Sequence, residues 1–262
     1  MDKPTKFTLT IMNKLIFFLF LMMGNQQVYA GNIQAKSWLI ADDEGKIIEY
    51  ENIEIVQPIA SITKLMTVMV VLDSNPNLEN QITKKFRGIN VNKRQLIDLA
   101  VVKSDNIAAK LLCETYHKGY TGCINDMNLK AQILGMERTR FEDSSGLDNR
   151  NVSTPRDLIK LLLAAERYPE IVNASNHISV NLMKKKRKKL SKLSFTNTNP
   201  LVAKYNVIVS KTGYVRASGG CLVMSAFING KKKLYIVLNS KTTRTRIRDM
   251  ESLIMLGLEN KL

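Results

Sequence analysis

Three short groups of residues in this chain have types and spacings that can do chemistry. Ser61 and Lys64 stand three apart in "ASITKLM", Ser104, Asp105 and Asn106 are consecutive, and so are Lys211, Thr212 and Gly213. Residues three apart on a helix share a face, so the Lys64 amine reaches the Ser61 hydroxyl if a helix opens there. A neutral amine so placed removes the hydroxyl proton and makes a serine nucleophile without histidine. The N-terminal end of a helix also favours the developing alkoxide.

A lysine is ordinarily charged at neutral pH, with a reference pKa of about 10.4, so this chemistry needs something that disfavours the cation. Burial does so, and a second positive charge nearby does so by repulsion. Lys211 in "VSKTGYV" is the candidate second cation, at the end of a β-rich run and close to Gly213, which lets a ligand approach the backbone. Ser104 and Asn106 offer a hydroxyl to relay a proton and an amide to hold a substrate amide. Ser-x-x-Lys and Lys-Ser/Thr-Gly each occur once. Ser-x-Asn recurs at Ser179-Val180-Asn181, in strand-like alternation and too near Lys211 to serve. Taken singly, each group is more often a capping serine or a surface lysine, and their ordered combination carries the argument.

The elements that must position these groups are legible as patterns. "SWLIADDEGKIIEY" has two apolar stretches around Asp43-Glu44-Gly45, which predicts a hairpin. From Ser61 to Leu72 the apolar positions are too continuous for a surface helix, so a buried central helix is expected. Helices are also expected at 93–103, 106–117 and 122–135, and another in "STPRDLIKLLLAAERY", with Thr154 as N-cap, Pro155 at the first position and Asp157 closing a capping box. Strands follow in "HISVNLM", "NVIVSKTG", "GGCLVMSAFING" and "KKLYIVLNS", with a hairpin at Asn229-Gly230, and a closing helix in "TRIRDMESLIMLGLEN". Strands at both ends with helices between predict an α+β domain whose antiparallel sheet joins the two ends of the chain.

The chain has 262 residues, 45% of them hydrophobic, enough for a substantial core. Residues 1–30 read as a signal peptide: Lys3, Lys6 and Lys14 precede "LIFFLFLMM", and "VYA" ends at Ala30 as a cleavage site does. The apolar run is shorter than the roughly 20 residues that span a bilayer, so export to the periplasm with at most peripheral membrane association is expected, and residues 31–262 form one catalytic domain. That remainder carries 36 basic and 22 acidic residues, a balance of +14, which attracts polyanions such as wall polymer or anionic lipid. Export makes nucleic acid the least favoured of these partners, and no nucleic acid is expected. The run "KKKRKK", 184–189, is read as a solvated loop or edge strand, with a polyanion contact as the alternative. Cys113, Cys123 and Cys221 are an odd count: Cys113 and Cys123 can close a disulfide across the intervening turn, or all three can be packed thiols. His117 and His177 show no metal-ligand spacing, so neither a metal nor another cofactor is expected.

The three groups together match the signature of penicillin-binding proteins and serine β-lactamases. Beyond them, "ASITKLMTVMVVLD", "GMERTRFEDSSGLDNRNVSTPRDL" and "SKTGYVRASGGCLVM" resemble the low-molecular-mass penicillin-binding proteins that are D-alanyl-D-alanine endopeptidases of serine peptidase family S11, from about residue 37 to 250. The resemblance implies the β-lactamase/penicillin-binding-protein transpeptidase-like fold, an antiparallel sheet flanked by helices. It implies peptidoglycan stem peptides as substrate and β-lactams as covalent inhibitors. It gives Ser61 as nucleophile, Lys64 as general base and Ser104 as proton relay to the leaving amine. Asn106 would hold the acyl side chain, Lys211 and Thr212 the substrate carboxylate, and the N–H groups of Ser61 and Tyr214, beside Gly213, the oxyanion. No Glu-x-x-Leu-Asn stretch lies between Asn106 and Lys211, which argues against a β-lactamase. With about fifty residues after Lys211, an endopeptidase is favoured over a carboxypeptidase. A non-catalytic wall-binding module would share the charge and leave the triad unexplained.

Overall fold

A computed structural model describes residues 33–186 and 189–259, so the predicted signal segment and the centre of the basic run, residues 187 and 188, lie outside the described residues. The strands are β1 (Ser37–Ala41), β2 (Ile47–Glu51), β3 (Gln57–Pro58), β4 (Val152–Ser153), β5 (Ser179–Lys186), β6 (Lys189–Thr196), β7 (Asn206–Val215), β8 (Gly219–Ile228) and β9 (Lys231–Ser240). The helices are α1 (Thr63–Asp73), α2 (Lys93–Val101), α3 (Asn106–Glu114), α4 (Gly119–Ile133), α5 (Pro155–Ala165), α6 (Pro169–Asn176) and α7 (Thr245–Glu259).

The main sheet is antiparallel in the order β2-β1-β9-β8-β7, so β1 from the N-terminal part pairs with β9 near the C-terminus, as expected, with Trp38 opposite Val237. Alternation sorts its side chains onto two faces. Leu39, Val223, Leu234 and Ile236 join the helices α1 to α5 in the larger core, whereas Ile40, Leu222, Met224, Tyr235 and Val237 pack with Met250, Leu253 and Ile254 of α7 in the other. Both faces are covered, which is why β8 and β9 read as nearly continuous apolar runs. The architecture is α+β.

The turns follow local chemistry. Asn229 and Gly230 both have positive φ, as the two-residue hairpin between β8 and β9 requires. Asn92 and Gln95 form a reciprocal capping box at the start of α2. In α5, Thr154 accepts from the Asp157 N–H as expected, but the Asp157 carboxylate does not close the box; it accepts instead from the Arg138 N–H and the Thr139 hydroxyl, tying α5 to the preceding loop. Helix α6 was not legible because eight residues starting at Pro169 give a weak period. Strand β6 was hidden by its lysines: it forms a separate two-stranded sheet with β5, pairing Leu182 with Leu193 and Val180 with Phe195 on the buried side.

Cys113 at the end of α3 and Cys123 in α4 are joined in a disulfide, and Cys221 in β8 is a buried free thiol. A cross-link closing ten residues stabilises chiefly by restricting the unfolded chain. Replacing both Cys113 and Cys123 by Ala should therefore lower unfolding free energy by about 3 kcal/mol in urea titration. A loss below about 1 kcal/mol would show that the bridge carries little of the stability.

Candidate active site

The nucleophile turn is built from a short 3-10 segment, Ala60–Ile62, running directly into α1. Ala60 has φ of +47°, a left-handed conformation in which non-glycine residues are uncommon, and this bend sets Ser61 at the mouth of the helix. Helix α1 is as buried as its sequence predicts, and the burial includes Lys64 at 0% exposure.

The Lys64 ammonium nitrogen makes three contacts. It lies 2.6 Å from Ser61 Oγ, 2.7 Å from Asn106 Oδ1 and 2.6 Å from the Ser145 carbonyl oxygen. The last two can only accept, so they occupy two N–H donors whatever the protonation state. Ser61 Oγ is the one partner that can reverse: once Lys64 loses a proton, its lone pair is left facing the Ser61 O–H. The geometry thus fits a neutral amine poised as a base. Burial, the largest cause, pulls the Lys64 pKa down to about 7, against the upward pull of Asp143 and Asp105.

The expected second cation is present, though its effect falls elsewhere. Lys211 is fully buried in β7 and held well below the ordinary lysine range, first by burial and then by repulsion from Lys64 and Arg246. Its Nζ donates to the Thr212 carbonyl at 3.1 Å. The Thr212 hydroxyl donates to Thr198 at 2.7 Å. Gly213 lets β7 run against the nucleophile turn: a Cβ there would lie 2.7 Å from the Ile59 carbonyl oxygen and 3.2 Å from the Ser61 nitrogen. Tyr214 follows, with its side chain half exposed and its backbone in register with Gly220.

The Ser-Asp-Asn group divides into three roles by local geometry. Ser104 has φ of +59° and ends the α2 joint. Asp105 is the N-cap of α3, accepting from the Ile107 and Ala108 N–H groups and pairing with Arg87 at 2.6 Å. Asn106 opens α3 and delivers its amide oxygen to Lys64. The structure therefore joins Ser61, Lys64 and Asn106 directly, whereas among the described residues the Ser104 hydroxyl forms no hydrogen bond.

Several contributors carried no signal of their own in the sequence. The loop 143–151 supplies the Ser145 carbonyl, and the Asp143 carboxylate shapes it by accepting from the N–H groups of Ser145, Gly146 and Asp148. Asn151 locks that loop to α1 by donating to Thr63 Oγ1 at 3.0 Å and to the Asp143 carbonyl at 2.8 Å. Thr67 donates to the Ser144 carbonyl at 2.8 Å. Arg246, from α7, donates to the Gly213 carbonyl at 2.8 Å, while its Nε is buried without a partner among the described residues. The one pointer was the similarity of "EDSSGLDNRN" to the family pattern, which marked the segment and not its role. Among the described residues no group of metal-ligating side chains occurs, and His117 and His177 are exposed.

A serine hydroxyl bonded to a buried lysine amine, set between a helical layer and the last strand of an antiparallel sheet, is the arrangement of a serine acyl-transfer enzyme of the penicillin-binding type. The comparisons agree. A family model described as D-alanyl-D-alanine carboxypeptidase, peptidase S11, matches residues 24–87 and 77–242. The chain is 37% identical to the D-alanyl-D-alanine endopeptidase of Escherichia coli K12 over 84% of its own length and 76% of that protein's. The crystal structure of the Streptomyces K15 DD-transpeptidase superposes with a TM-score of 0.80 at 25% identity, covering 87% of this chain and 98% of that one. Penicillin-binding protein D2 from Listeria monocytogenes, in its ampicillin-bound form, gives 0.75 at 26% identity, covering 86% and 98%. The chain belongs to peptidase family S11, the D-alanyl-D-alanine carboxypeptidase family, and is a serine DD-peptidase, a hydrolase.

Gly146 tests this geometry most sharply. It has φ of +79°, and a Cβ there would fall 1.9 Å from the Ala60 carbonyl oxygen. Gly146→Ala should displace the nucleophile turn by enough to slow acylation by labelled penicillin about 100-fold, with the fold retained by circular dichroism. An unchanged acylation rate would show that the loop and turn are not held in register.

Proposed function

We propose that this chain is an exported D-alanyl-D-alanine endopeptidase that hydrolyses peptidoglycan cross-links through a Ser61 acyl-enzyme. The observation that carries the reading is the buried Lys64 amine 2.6 Å from Ser61 Oγ. Lys64 takes the Ser61 proton as the hydroxyl attacks a D-alanyl carbonyl, and the N–H groups of Ser61 and Tyr214 receive the oxyanion. Ser104 passes the proton to the leaving amine. Its hydroxyl is uncommitted without substrate, and such contacts commonly tighten only in the complex. Asn106 holds the acyl peptide, while Lys211 and Thr212, with β7 backed by Arg246, bind the substrate carboxylate. Water then releases the acyl group, and β-lactams acylate Ser61 and leave slowly.

The endopeptidase reading rests on the name of the E. coli relative. The family description, carboxypeptidase, keeps that activity as the alternative. The location is the periplasm, reached through removal of residues 1–30, and residues 31–262 act as one catalytic domain. Among the described residues no helix is long and apolar enough to cross a membrane.

Purified protein incubated with cross-linked muropeptides should split the dimers, and Ser61→Ala should abolish the reaction. Release of D-alanine from monomeric pentapeptide alone would assign a carboxypeptidase instead. Because the base must be uncharged to act and Lys64 titrates at about 7, the second-order rate of acylation by penicillin should climb about tenfold per pH unit below 7 and level off above it. A profile that is flat between pH 5 and 7 would remove Lys64 as the base.

A further inference from the structure

The peptidase chemistry makes no use of the basic run 184–189, yet the charge of the chain is concentrated around it. From 171 to 248 there are 17 basic residues and no acidic one, while everything outside that segment carries 22 basic against 23 acidic. The positive surplus belongs to one segment. Within it, Lys211 and Arg246 are buried at the site, and Lys204 and Lys232 are paired with Glu251 and Glu166. The β5–β6 hairpin differs, since Lys192 is exposed and in no ion pair among the described residues.

Register sorts the hairpin into two faces. Val180 and Leu182, with Phe195 and Leu193 opposite them, turn into the larger core, where the Phe195 ring meets Phe86 edge-on at 6.3 Å. That face anchors the hairpin. The other face holds Met183 opposite Lys192, with Leu190 diagonal to Met183 across the ladder. Met183 is 55% exposed and Leu190 62%. Lysines keep an exposed strand soluble, which accounts for the cations and leaves the two apolar side chains unexplained. A dissolved polyanion likewise draws on the cations and gains nothing from Met183 or Leu190. A bilayer surface of anionic phospholipid rewards both, because its phosphates meet lysines while apolar side chains enter the boundary between headgroups and acyl chains.

We propose that the outer face of the β5–β6 hairpin is a docking surface for an anionic phospholipid bilayer, with Met183 and Leu190 as the inserting side chains and Lys192 as a phosphate contact. The contact combines two weak signals, charge and a small apolar insertion, so it holds the protein reversibly. Thr198, two residues beyond β6, accepts from the Thr212 hydroxyl at 2.7 Å, so a docked hairpin also tethers the β7 wall of the cleft. Docking takes no part in the acyl transfer, and the two readings stand or fall separately.

The test is cosedimentation of the exported protein, with residues 1–30 removed, on vesicles of phosphatidylcholine alone or mixed equally with phosphatidylglycerol. The wild-type protein should bind the anionic vesicles at least about tenfold more tightly than the neutral ones, and about 0.5 M NaCl should remove most of that advantage. Met183→Ser combined with Leu190→Ser should weaken binding to anionic vesicles about tenfold, and Lys192→Glu by a similar factor. Both variants should be acylated by labelled penicillin at the wild-type rate, which shows that they are folded. Equal binding of the wild-type protein to the two vesicle types, or binding to neither, would overturn the docking surface without recourse to any variant. So would an affinity for anionic vesicles that survives both sets of changes. Loss in Lys192→Glu alone, with wild-type affinity kept by the Met183 and Leu190 double variant and matched on soluble polyglutamate, would overturn the bilayer in favour of an anionic polymer.

Discussion

A lysine amine held away from water between two acceptors that cannot donate is the interaction around which this molecule is arranged. An ammonium in that position is costly, because a buried charge needs full compensation. Carbonyl and amide oxygens compensate two of its three protons, and the third faces a hydroxyl that can equally well be the donor. The site is thus balanced near the point where the amine changes protonation state. That balance depends on dryness, and dryness depends on how closely the surrounding backbone approaches.

Three stretches of backbone make that approach. The nucleophile turn is pressed from one side by the loop carrying Gly146 and from another by β7 at Gly213, and at both positions a side chain would collide with the turn. The loop is not self-supporting; the Asp143 carboxylate and Asn151 gather its N–H groups, and Asn151 and Thr67 fasten it to α1. β7 is positioned by nine residue pairs with β8 and by Arg246 reaching across from α7. The sheet is in turn covered on both faces by the two cores, so the last strand forms a packed wall of the site.

The electrostatics follow the same plan. Lys64, Lys211 and Arg246 converge while each is buried, and each is pushed toward its neutral form by that burial. The nearby carboxylates do not cancel them outright, since Asp143 is committed to backbone N–H groups and Asp105 to a helix cap and Arg87. Lys211 donates only to the Thr212 carbonyl, and the Arg246 Nε to nothing among the described residues, so this side of the site has donors to spare, and the surplus of basic residues over the whole chain adds an attraction for anions at longer range.

The sequence alone was enough to bring Ser61 and Lys64 together, because a spacing of three on one helix is a local matter. It likewise determined the buried character of α1, the hairpins at Gly45 and Asn229-Gly230, and the pairing of the chain's two ends, since apolar periodicity and turn chemistry are read within a few residues. It did not reveal the Ser145 carbonyl, Asn151 or Arg246, whose contacts with the site span 81, 88 and 33 residues. A backbone carbonyl has no residue type to betray it, and an asparagine or arginine looks the same in a loop as in a site. That the repulsion falls on Lys211, and that burial outweighs the pull of Asp143 and Asp105 at Lys64, were decided only by tertiary packing, because desolvation is a property of everything that surrounds a group and of nothing within its own segment.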